Sequence, residues 1–190
     1  MALQLSTPVR NARLNAIFAT IGASAKLMLY TGAPPANCAA AATGTLLGTL
    51  TLPATEENAA ANGQSTIAST WSGTISYAGG GTIGYLRIMD SAQATAHLQC
   101  SVSYNAPAWQ ASTAVVAGQK VSNGGAVYNC TAGGNTASTG GPTGNASSIT
   151  DGTATWAYVG AVGDMLIDNP VVASNQTINI NTFTLLEANG

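Results

Sequence analysis

Residues 107–160 read PAWQASTAVVAGQKVSNGGAVYNCTAGGNTASTGGPTGNASSITDGTATWAYVG. This stretch holds two of the three Trp residues of the chain, and its charged residues are Lys120 and Asp151. When it is removed, 1–106 and 161–190 still form one continuous pattern of short apolar strands and turns. We therefore predict that 107–160 is a small all-β module, the insert, within a discontinuous host β domain.

The host contains one helical pattern, close to its start. Thr7 is the expected N-cap, and Pro8 suits the first helical position. Gly22 suits the position just after the helix. The pattern predicts a helix over Pro8–Ile21. Its apolar residues at helical spacing are Leu14, Ile17, Phe18 and Ile21.

The rest of the host predicts strands separated by Gly, Asn and Pro turns. No strand alternates with a helix, so a parallel α/β fold is not expected. We predict a mainly β protein, with an antiparallel β-sandwich or barrel-like host and one N-terminal helix. Leu46–Leu52 is predicted to be a strand, with Leu46, Leu50 and Leu52 on one side. The segment that follows it, Pro53–Gln64, is expected to be a mobile loop. One or two strands are predicted within Thr66–Tyr77, around Trp71. The other predicted host strands are Lys26–Tyr30, Thr82–Met89, Ala96–Tyr104, Asp164–Ile167, Gln176–Ile180 and Phe183–Glu187.

The composition is unusually poor in charge. Charged residues make up 6% of the chain, against roughly 25% in an average soluble domain. Such a surface is kept in solution by small polar groups or is covered by partners, as in a subunit of a large assembly. The five Lys and Arg residues are dispersed and the net charge is −2, so no nucleic-acid partner is expected. No apolar run reaches the roughly 18–20 residues of a membrane span, so no membrane partner is expected.

The three cysteines, Cys38, Cys100 and Cys130, cannot all pair within the chain. Free thiols in a reducing cytoplasm are the simplest interpretation, although one bridge remains an alternative. The N-terminus lacks a charged region followed by an apolar one, so no signal peptide is expected.

No catalytic constellation is visible. His97 is the single histidine, so a Ser–His–Asp triad would have to use it, with Asp90 as a nearby acid. No G-x-S-x-G nucleophile motif is present. We predict that the chain is not an enzyme and that His97 is a surface or packing residue.

Two further patterns have the residue types of ligand sites. Asp90, Asp164 and Asp168 could gather around Ca²⁺, but their positions also suit turns and strand ends. Gly79, Gly81 and Gly84 match a dinucleotide fingerprint by spacing, yet a strand is expected after them where that fingerprint requires a helix. We expect neither a metal nor a cofactor.

The aromatic residues of the insert have two interpretations. The candidates for glycan or receptor contact are Trp109, Tyr128, Trp156 and Tyr158. Sugar binding would use their flat faces on a rigid sheet. A module of about 55 residues, however, has few other large side chains to bury, so the same residues are candidates for its core. Asp151-Gly152 predicts a hairpin turn between two strands of the insert.

The host resembles a group of small virion proteins of tailed bacteriophages, which decorate capsids or lie on the tail. The resemblance covers nearly all of the host. The residues that carry it are Arg10–Ile17, Ile21-Gly22, Leu27–Gly32, Pro35-Ala36, Leu46-Leu47, Tyr85–Ser91, Gly163–Asn169, Gln176, Phe183 and Thr184.

The insert is similar to small aromatic β modules of phage structural proteins and, more distantly, to chitin-binding modules of secreted glycosidases. The matching residues are Ala108-Trp109, Ser112-Thr113, Gly118, Val121, Asn123-Gly124, Val127-Tyr128 and Trp156.

These resemblances imply a non-enzymatic structural protein of the virion, assembled in the host bacterial cytoplasm. The expected role is a capsid decoration (cement) protein that binds the major capsid protein and copies of itself, as a trimer, with the insert projecting outward. The alternative is a tail-associated carbohydrate-binding protein that recognises a cell-surface glycan.

Overall fold

The computed structural model describes residues 4–167 and 169–187. Within them a single helix, α1 (Thr7–Ile21), precedes a series of strands, so the predicted mainly β fold with one helix is confirmed. The strands are β1 (Lys26–Tyr30), β2 (Leu46–Thr51), β3 (Gln64–Thr66), β4 (Trp71–Thr74), β5 (Gly81–Thr82), β6 (Tyr85–Met89), β7 (Ala96–Tyr104), β8 (Ala114–Val115), β9 (Lys120–Asn123), β10 (Ala126–Ala132), β11 (Gly134–Asn135), β12 (Ile149–Asp151), β13 (Ala154–Ala161), β14 (Met165–Ile167), β15 (Val171–Val172), β16 (Thr177–Ile180) and β17 (Thr184–Leu186).

The chain divides into two compact units. The first comprises Met1–Ser101 with Val171–Gly190, and the second comprises Val102–Pro170. The second unit holds the predicted insert together with a short segment on each side of it. The two flanking segments pair with each other within the second unit, because β14 lies beside Val102–Tyr104, the last three residues of β7.

The pairing of β14 with β7 is parallel, which departs from the predicted antiparallel arrangement. A parallel pair needs a crossover of a dozen or more residues. Here strands β8–β13 of the second unit supply that crossover. The other strand pairs in the described part of the chain are antiparallel.

In the first unit, β2, β1, β6 and β7 lie side by side in that order. Tyr85, Leu86, Arg87 and Ile88 follow one another in β6, and all four are buried. Continuous burial means that both faces of this strand are covered, as expected for a central strand. The ring of Tyr30 in β1 stacks on Tyr85 with the ring centres 5.0 Å apart. Three two-stranded pairs, β5–β15, β4–β16 and β3–β17, complete the unit.

Helix α1 covers a second part of this core. Leu14, Phe18 and Ile21 are its buried residues, at the predicted spacing. The Phe18 ring lies 6.4 Å from that of Trp71, which is 0% exposed and in turn lies 5.3 Å from Phe183. Burying side chains of this size stabilises the fold by about 1.5–3 kcal/mol each.

The start of α1 corrects one prediction. The N-cap is Ser6 rather than Thr7, and it makes no capping hydrogen bond through its side chain. The Thr7 hydroxyl accepts instead from Nη2 of Arg10 at 3.3 Å. Pro8 lies in the first turn, where its missing N–H removes one donor that a cap would have to satisfy. The helix ends before Gly22 as predicted, with φ +83° at this glycine.

Strand β2 corrects a second prediction, which concerns the side of the strand on which Leu46 lies. Leu29 pairs with Gly48, but its neighbour Tyr30 pairs with Leu46, so one residue of β2 is bulged. Leu47 is consequently 0% exposed and Leu46 is 36% exposed. The prediction that Leu46 lies on the same side of the strand as Leu50 and Leu52 is wrong, because a bulge reverses the alternation on one side of it.

The segment predicted as a mobile loop, Pro53–Gln64, is attached to α1 at two points. Oδ1 of Asn15 accepts the backbone N–H of Ala60 at 2.8 Å, and Oδ1 of Asn11 accepts that of Gly63 at 2.8 Å. These bonds hold the second half of the loop against the helix.

The second unit contains the sheet β12-β13-β10-β9 and the separate pair β8–β11. Its buried core consists of Val115, Val121, Tyr128, Cys130, Ala154 and Trp156, with Trp109, Ala126 and Ile149 packed at the edge. Strands β12 and β13 form the predicted hairpin, in which Asp151 pairs with Ala154. The turn itself is Gly152-Thr153, with φ +66° at Gly152.

Candidate functional site

A buried carboxylate organises the aromatic residues of the second unit. Asp151 is 4% exposed. Its Oδ2 accepts the indole N–H of Trp109 at 2.8 Å and that of Trp156 at 3.1 Å. Its Oδ1 accepts the backbone N–H of Ala137 at 2.9 Å. Hydrogen bonds to an ionised acceptor are about twice as strong as neutral ones, so three donors stabilise this charge inside the module.

Trp109 is held in place from several directions. Its backbone N–H donates to the Ser122 carbonyl at 2.9 Å, and the N–H of Ser122 donates to Pro107 at 2.8 Å. Gly141 packs against the fused-ring atoms of the indole, where an added Cβ would lie 2.9 Å from Cδ2. Together with Asp151, these contacts fix the ring while leaving it partly exposed.

A cavity of about 200 Å³ adjoins this tryptophan. Val115 and Val121, both buried, form its apolar floor, while Gln110, Thr113 and Gln119 are exposed at its rim. The Gln119 Oε1 accepts the Val116 N–H at 3.2 Å, which leaves its Nε2 as a donor. Thr136 donates to the Gln110 carbonyl and accepts from the Thr113 N–H, each at 2.8 Å, and so fixes the rim.

The cavity therefore combines one aromatic ring, aliphatic walls and neutral amide and hydroxyl groups. This chemistry suits a small, uncharged ligand with several hydrogen-bonding groups, such as a sugar residue.

The two tyrosines occupy different environments. Tyr128 is 2% exposed and donates its hydroxyl hydrogen to the Gly144 carbonyl at 3.1 Å. Burial raises the pKa of the Tyr128 phenol, and the neighbouring Tyr158 raises it further. The two rings meet edge to face with their centres 6.0 Å apart. Tyr158 itself is 36% exposed.

The four predicted contact residues thus do not form one exposed platform. Trp156, which is 0% exposed, and Tyr128 belong to the core, so the core interpretation is confirmed for these two. Trp109 and Tyr158 retain exposed surface, and glycan contact through them stays a prediction.

Sequence reasoning missed the role of Asp151 and the residues around the cavity. A single acidic residue between uncharged β segments predicts a turn equally well whichever way its side chain points. Gln110, Thr113 and Gln119 are ordinary loop residues, so their convergence becomes visible only in three dimensions. The one signal in the sequence is that Asp151 is the single acidic residue of 107–160. The other charged residue of the insert, Lys120, lies elsewhere, with its ammonium group 4.3 Å from the centre of the Tyr104 ring.

Of the remaining acidic candidates, Asp90 behaves as a turn residue, and Asp164 directly precedes β14. The Asp90 carboxylate accepts the N–H groups of Ala94 at 2.8 Å and Thr95 at 3.1 Å. The hydrogen bond from Ala94 is the main reason why the pKa of Asp90 is lowered. Asp168 lies outside the described residues. Across 4–167 and 169–187, no group of three or more His, Cys, Asp or Glu residues could hold a metal ion.

The Gly79-x-Gly81-x-x-Gly84 motif lies on β5 and in the approach to β6, so a strand follows it as predicted. Gly84 is needed for packing, because an added Cβ would meet the backbone carbonyl of Gly32. Cys38, Cys100 and Cys130 form no disulfide with one another, in agreement with the simplest interpretation of the sequence rather than with the alternative of one bridge.

Among the described residues, no helix has the length and apolar character needed to cross a membrane. Comparison with protein-family models, with curated proteins and with solved structures found no match to this chain.

Proposed function

We propose that this chain is a non-enzymatic structural protein of a bacteriophage virion, a decoration protein that binds the major capsid protein and copies of itself. The observation that carries the proposal is that charged residues make up only 6% of the chain, and that each of the five Lys and Arg side chains contacts a group of its own chain. The resemblance of the host residues to small phage virion proteins supplies the biological setting.

All five basic side chains have partners inside the chain. Arg10 donates to the Glu187 carbonyl at 3.0 Å, and Arg13 lies 2.6 Å from the Glu187 carboxylate. Lys26 donates to Thr51, Arg87 donates to Cys38, and Lys120 lies over Tyr104. Such a surface cannot attract phosphate groups strongly, which argues against a nucleic-acid ligand.

Exposed apolar groups accompany this lack of charge. In the first unit Val9, Tyr77 and Val171 are 45%, 45% and 47% exposed, and Leu186 is 71% exposed. Interface cores are depleted of charge and tolerate such residues. A lattice of neighbouring copies would cover them, which is our reason for preferring a decoration role.

Binding to capsids that lack this protein tests the proposal. Contacts made by neutral and apolar groups should resist salt, because screening acts on charges. We expect co-sedimentation with such capsids to persist at about 1 M NaCl, where the Debye length is only about 3 Å. Leu186→Ala should weaken binding, and Leu166→Ala, an equally apolar change in the second unit, serves as the control. Binding that disappears at high salt would contradict a lattice contact of this kind.

A tail-associated protein that binds a cell-surface carbohydrate is the second candidate. The cavity beside Trp109 is the specific observation that favours it. A direct substitution of Trp109 would also remove a hydrogen bond to Asp151, so a loss of binding could reflect unfolding. Gln110→Ala changes the rim alone and is the better probe.

A glycan array tests this candidate with wild type and Gln110→Ala, and with Gln64→Ala in the first unit as the control. We expect a bound glycan to be lost in Gln110→Ala and kept in Gln64→Ala. If no glycan binds the wild type, or if Gln110→Ala binds equally well, the cavity is not a sugar site.

A further inference from the structure

A second cavity, of about 360 Å³, lies within the first unit at the C-terminal end of α1. Asn15, Phe18, Ala19 and Gly22 line it from the helix side, and the residues opposite come from the loop that follows β2. Those loop residues include Glu56, Glu57 and Asn58. Two adjacent carboxylates therefore border one cavity, and no residue of its lining carries a positive charge.

Glu56 is the most unusual of these residues. It is 6% exposed, and its Oε1 is buried without a hydrogen-bond partner. Its backbone carbonyl is fully used, because it accepts the Trp71 indole N–H at 3.2 Å and the Ala68 N–H at 3.1 Å. A buried carboxylate oxygen without a donor or a cation is costly, so a bound cation would stabilise this side chain.

The neighbouring groups present further oxygens. Glu57 accepts the Ser65 hydroxyl hydrogen through Oε2, which leaves its Oε1 as an acceptor. The Asn58 amide nitrogen donates to Ile67 at 3.0 Å, so its Oδ1 is directed away from that bond. The last carbonyls of α1 carry a partial negative charge, and Ala19 and Gly22 belong to the lining.

We propose that this cavity binds a hard divalent cation, and specifically Ca²⁺. The carboxylates of Glu56 and Glu57 would balance its charge. Neutral oxygens from Asn58, the end of α1 and water would complete its coordination. Ca²⁺ takes six to eight oxygen ligands in flexible geometry, and carboxylate, amide and carbonyl oxygens belong to residues of this lining.

The burial of Glu56 favours Ca²⁺ over Mg²⁺. A buried carboxylate has to bind the ion directly, and Mg²⁺ gives up its water ligands more reluctantly than Ca²⁺ does. A basic side chain from a second copy is disfavoured, because each of the five Lys and Arg residues already has a partner in its own chain. With two carboxylates, we expect a dissociation constant of about 10⁻⁴ to 10⁻³ M.

Calorimetric titration of the full chain with CaCl₂, and luminescence of Tb³⁺ as a calcium substitute, test the proposal. Trp71 lies next to the site through its bond to the Glu56 carbonyl, so exciting tryptophan should sensitise bound Tb³⁺. We expect saturable luminescence that Ca²⁺ displaces more effectively than Mg²⁺.

Glu56→Gln keeps the shape of the side chain and removes its charge. We expect it to weaken Ca²⁺ binding on the order of ten-fold or more. Glu187→Gln removes a carboxylate paired with Arg13 and should bind as wild type does. Trp71→Phe should lose the sensitised signal and keep the calorimetric one.

Three results would overturn the proposal: no saturable heat with Ca²⁺, equal affinity in Glu56→Gln, or displacement of Tb³⁺ by a lysine-rich peptide but not by Ca²⁺. Circular dichroism of Glu56→Gln distinguishes lost binding from lost folding. Because it neutralises an unsatisfied buried carboxylate, we expect this variant to be at least as stable as wild type in metal-free buffer.

Discussion

The indole N–H of Trp109 donates to Oδ2 of Asp151 across 2.8 Å, although 42 residues separate them in sequence. The bond joins the first part of the second unit to the hairpin near its end. Trp156 donates to the same oxygen. One carboxylate thus satisfies two large aromatic residues that would otherwise carry unpaired donors into an apolar core.

Asp151→Asn should therefore destabilise the second unit. The amide has one oxygen and one NH₂ group, so it cannot accept from both indoles and from Ala137 at once. We expect a loss of about 2–4 kcal/mol in the free energy of unfolding, since buried donors lose a charged acceptor.

Urea unfolding followed by tryptophan fluorescence measures this loss. Glu187→Gln, which breaks a partly exposed ion pair, should cost less than about 1 kcal/mol and is the control. If Asp151→Asn is as stable as wild type, the Asp151 carboxylate does not stabilise this core as we expect.

At Asp151 the sequence predicts the turn of the insert but not the direction of the side chain. Its neighbour Gly152 marked the hairpin correctly, because turn chemistry is local and is carried by adjacent residues. The inward direction of the Asp151 side chain depends on donors from Trp109 and Ala137, which no local pattern connects. The cavity residues were missed for the same reason.

Gly84→Ala should strongly destabilise the first unit. An added Cβ would meet the Gly32 carbonyl oxygen and lie 2.9 Å from the Gly32 nitrogen, and both are backbone atoms with little freedom to move. We expect a cost of about 1–3 kcal/mol or more from overpacking.

Gly160→Ala is the matched control for this substitution. Nothing lies within 4 Å of a Cβ at that position, and its φ is not positive. Thermal unfolding should show a lowered midpoint for Gly84→Ala and a nearly unchanged one for Gly160→Ala. Equal midpoints for the two variants would contradict the close approach to Gly32.

Thiol reactivity should differ among the three cysteines. Cys130 is 1% exposed, and burial raises the pKa of its thiol, which disfavours the reactive thiolate. Cys38 and Cys100 are only partly buried. Alkylation of the native protein, followed by mass spectrometry of peptides, should label Cys38 and Cys100 before Cys130. Labelling of Cys130 first would be inconsistent with its position in the core.

The stability of the first unit should depend on Glu57 in metal-free buffer. Burial raises the pKa of Glu57, Ser65 lowers it in part, and Glu56 raises it. The folded state therefore binds this proton more tightly than the unfolded state does. The stability that this bound proton contributes is fully present below the ordinary glutamate pKa of about 4.3. It is lost as the pH rises through the raised pKa of Glu57 in the folded state.

Glu57→Gln should remove that part of the pH dependence. Unfolding free energies should be measured in the presence of a chelator, over a pH range that begins below the ordinary glutamate pKa. As the pH rises, they should decline less in the variant than in wild type. Asp90→Asn is a control of opposite sign, because the lowered pKa of Asp90 gives stability that is lost on acidification. An unchanged profile in Glu57→Gln would contradict the role of its burial.

Strands with strong local patterns were predicted well, and long-range features were not. Lys26–Tyr30 has the predicted bounds, since an apolar run closed by a Gly-Pro turn is a local signal. The exposure of Leu46 follows from a bulge that only the pairing with β1 reveals. The parallel pairing of β14 likewise depends on a partner more than sixty residues away.

We propose above all that this protein coats a capsid, and quantitative imaging of intact particles tests this proposal most directly. The account predicts that the chain lies on the head surface in a fixed ratio to the major capsid protein. A few copies confined to the tail, or none on the particle, would contradict it.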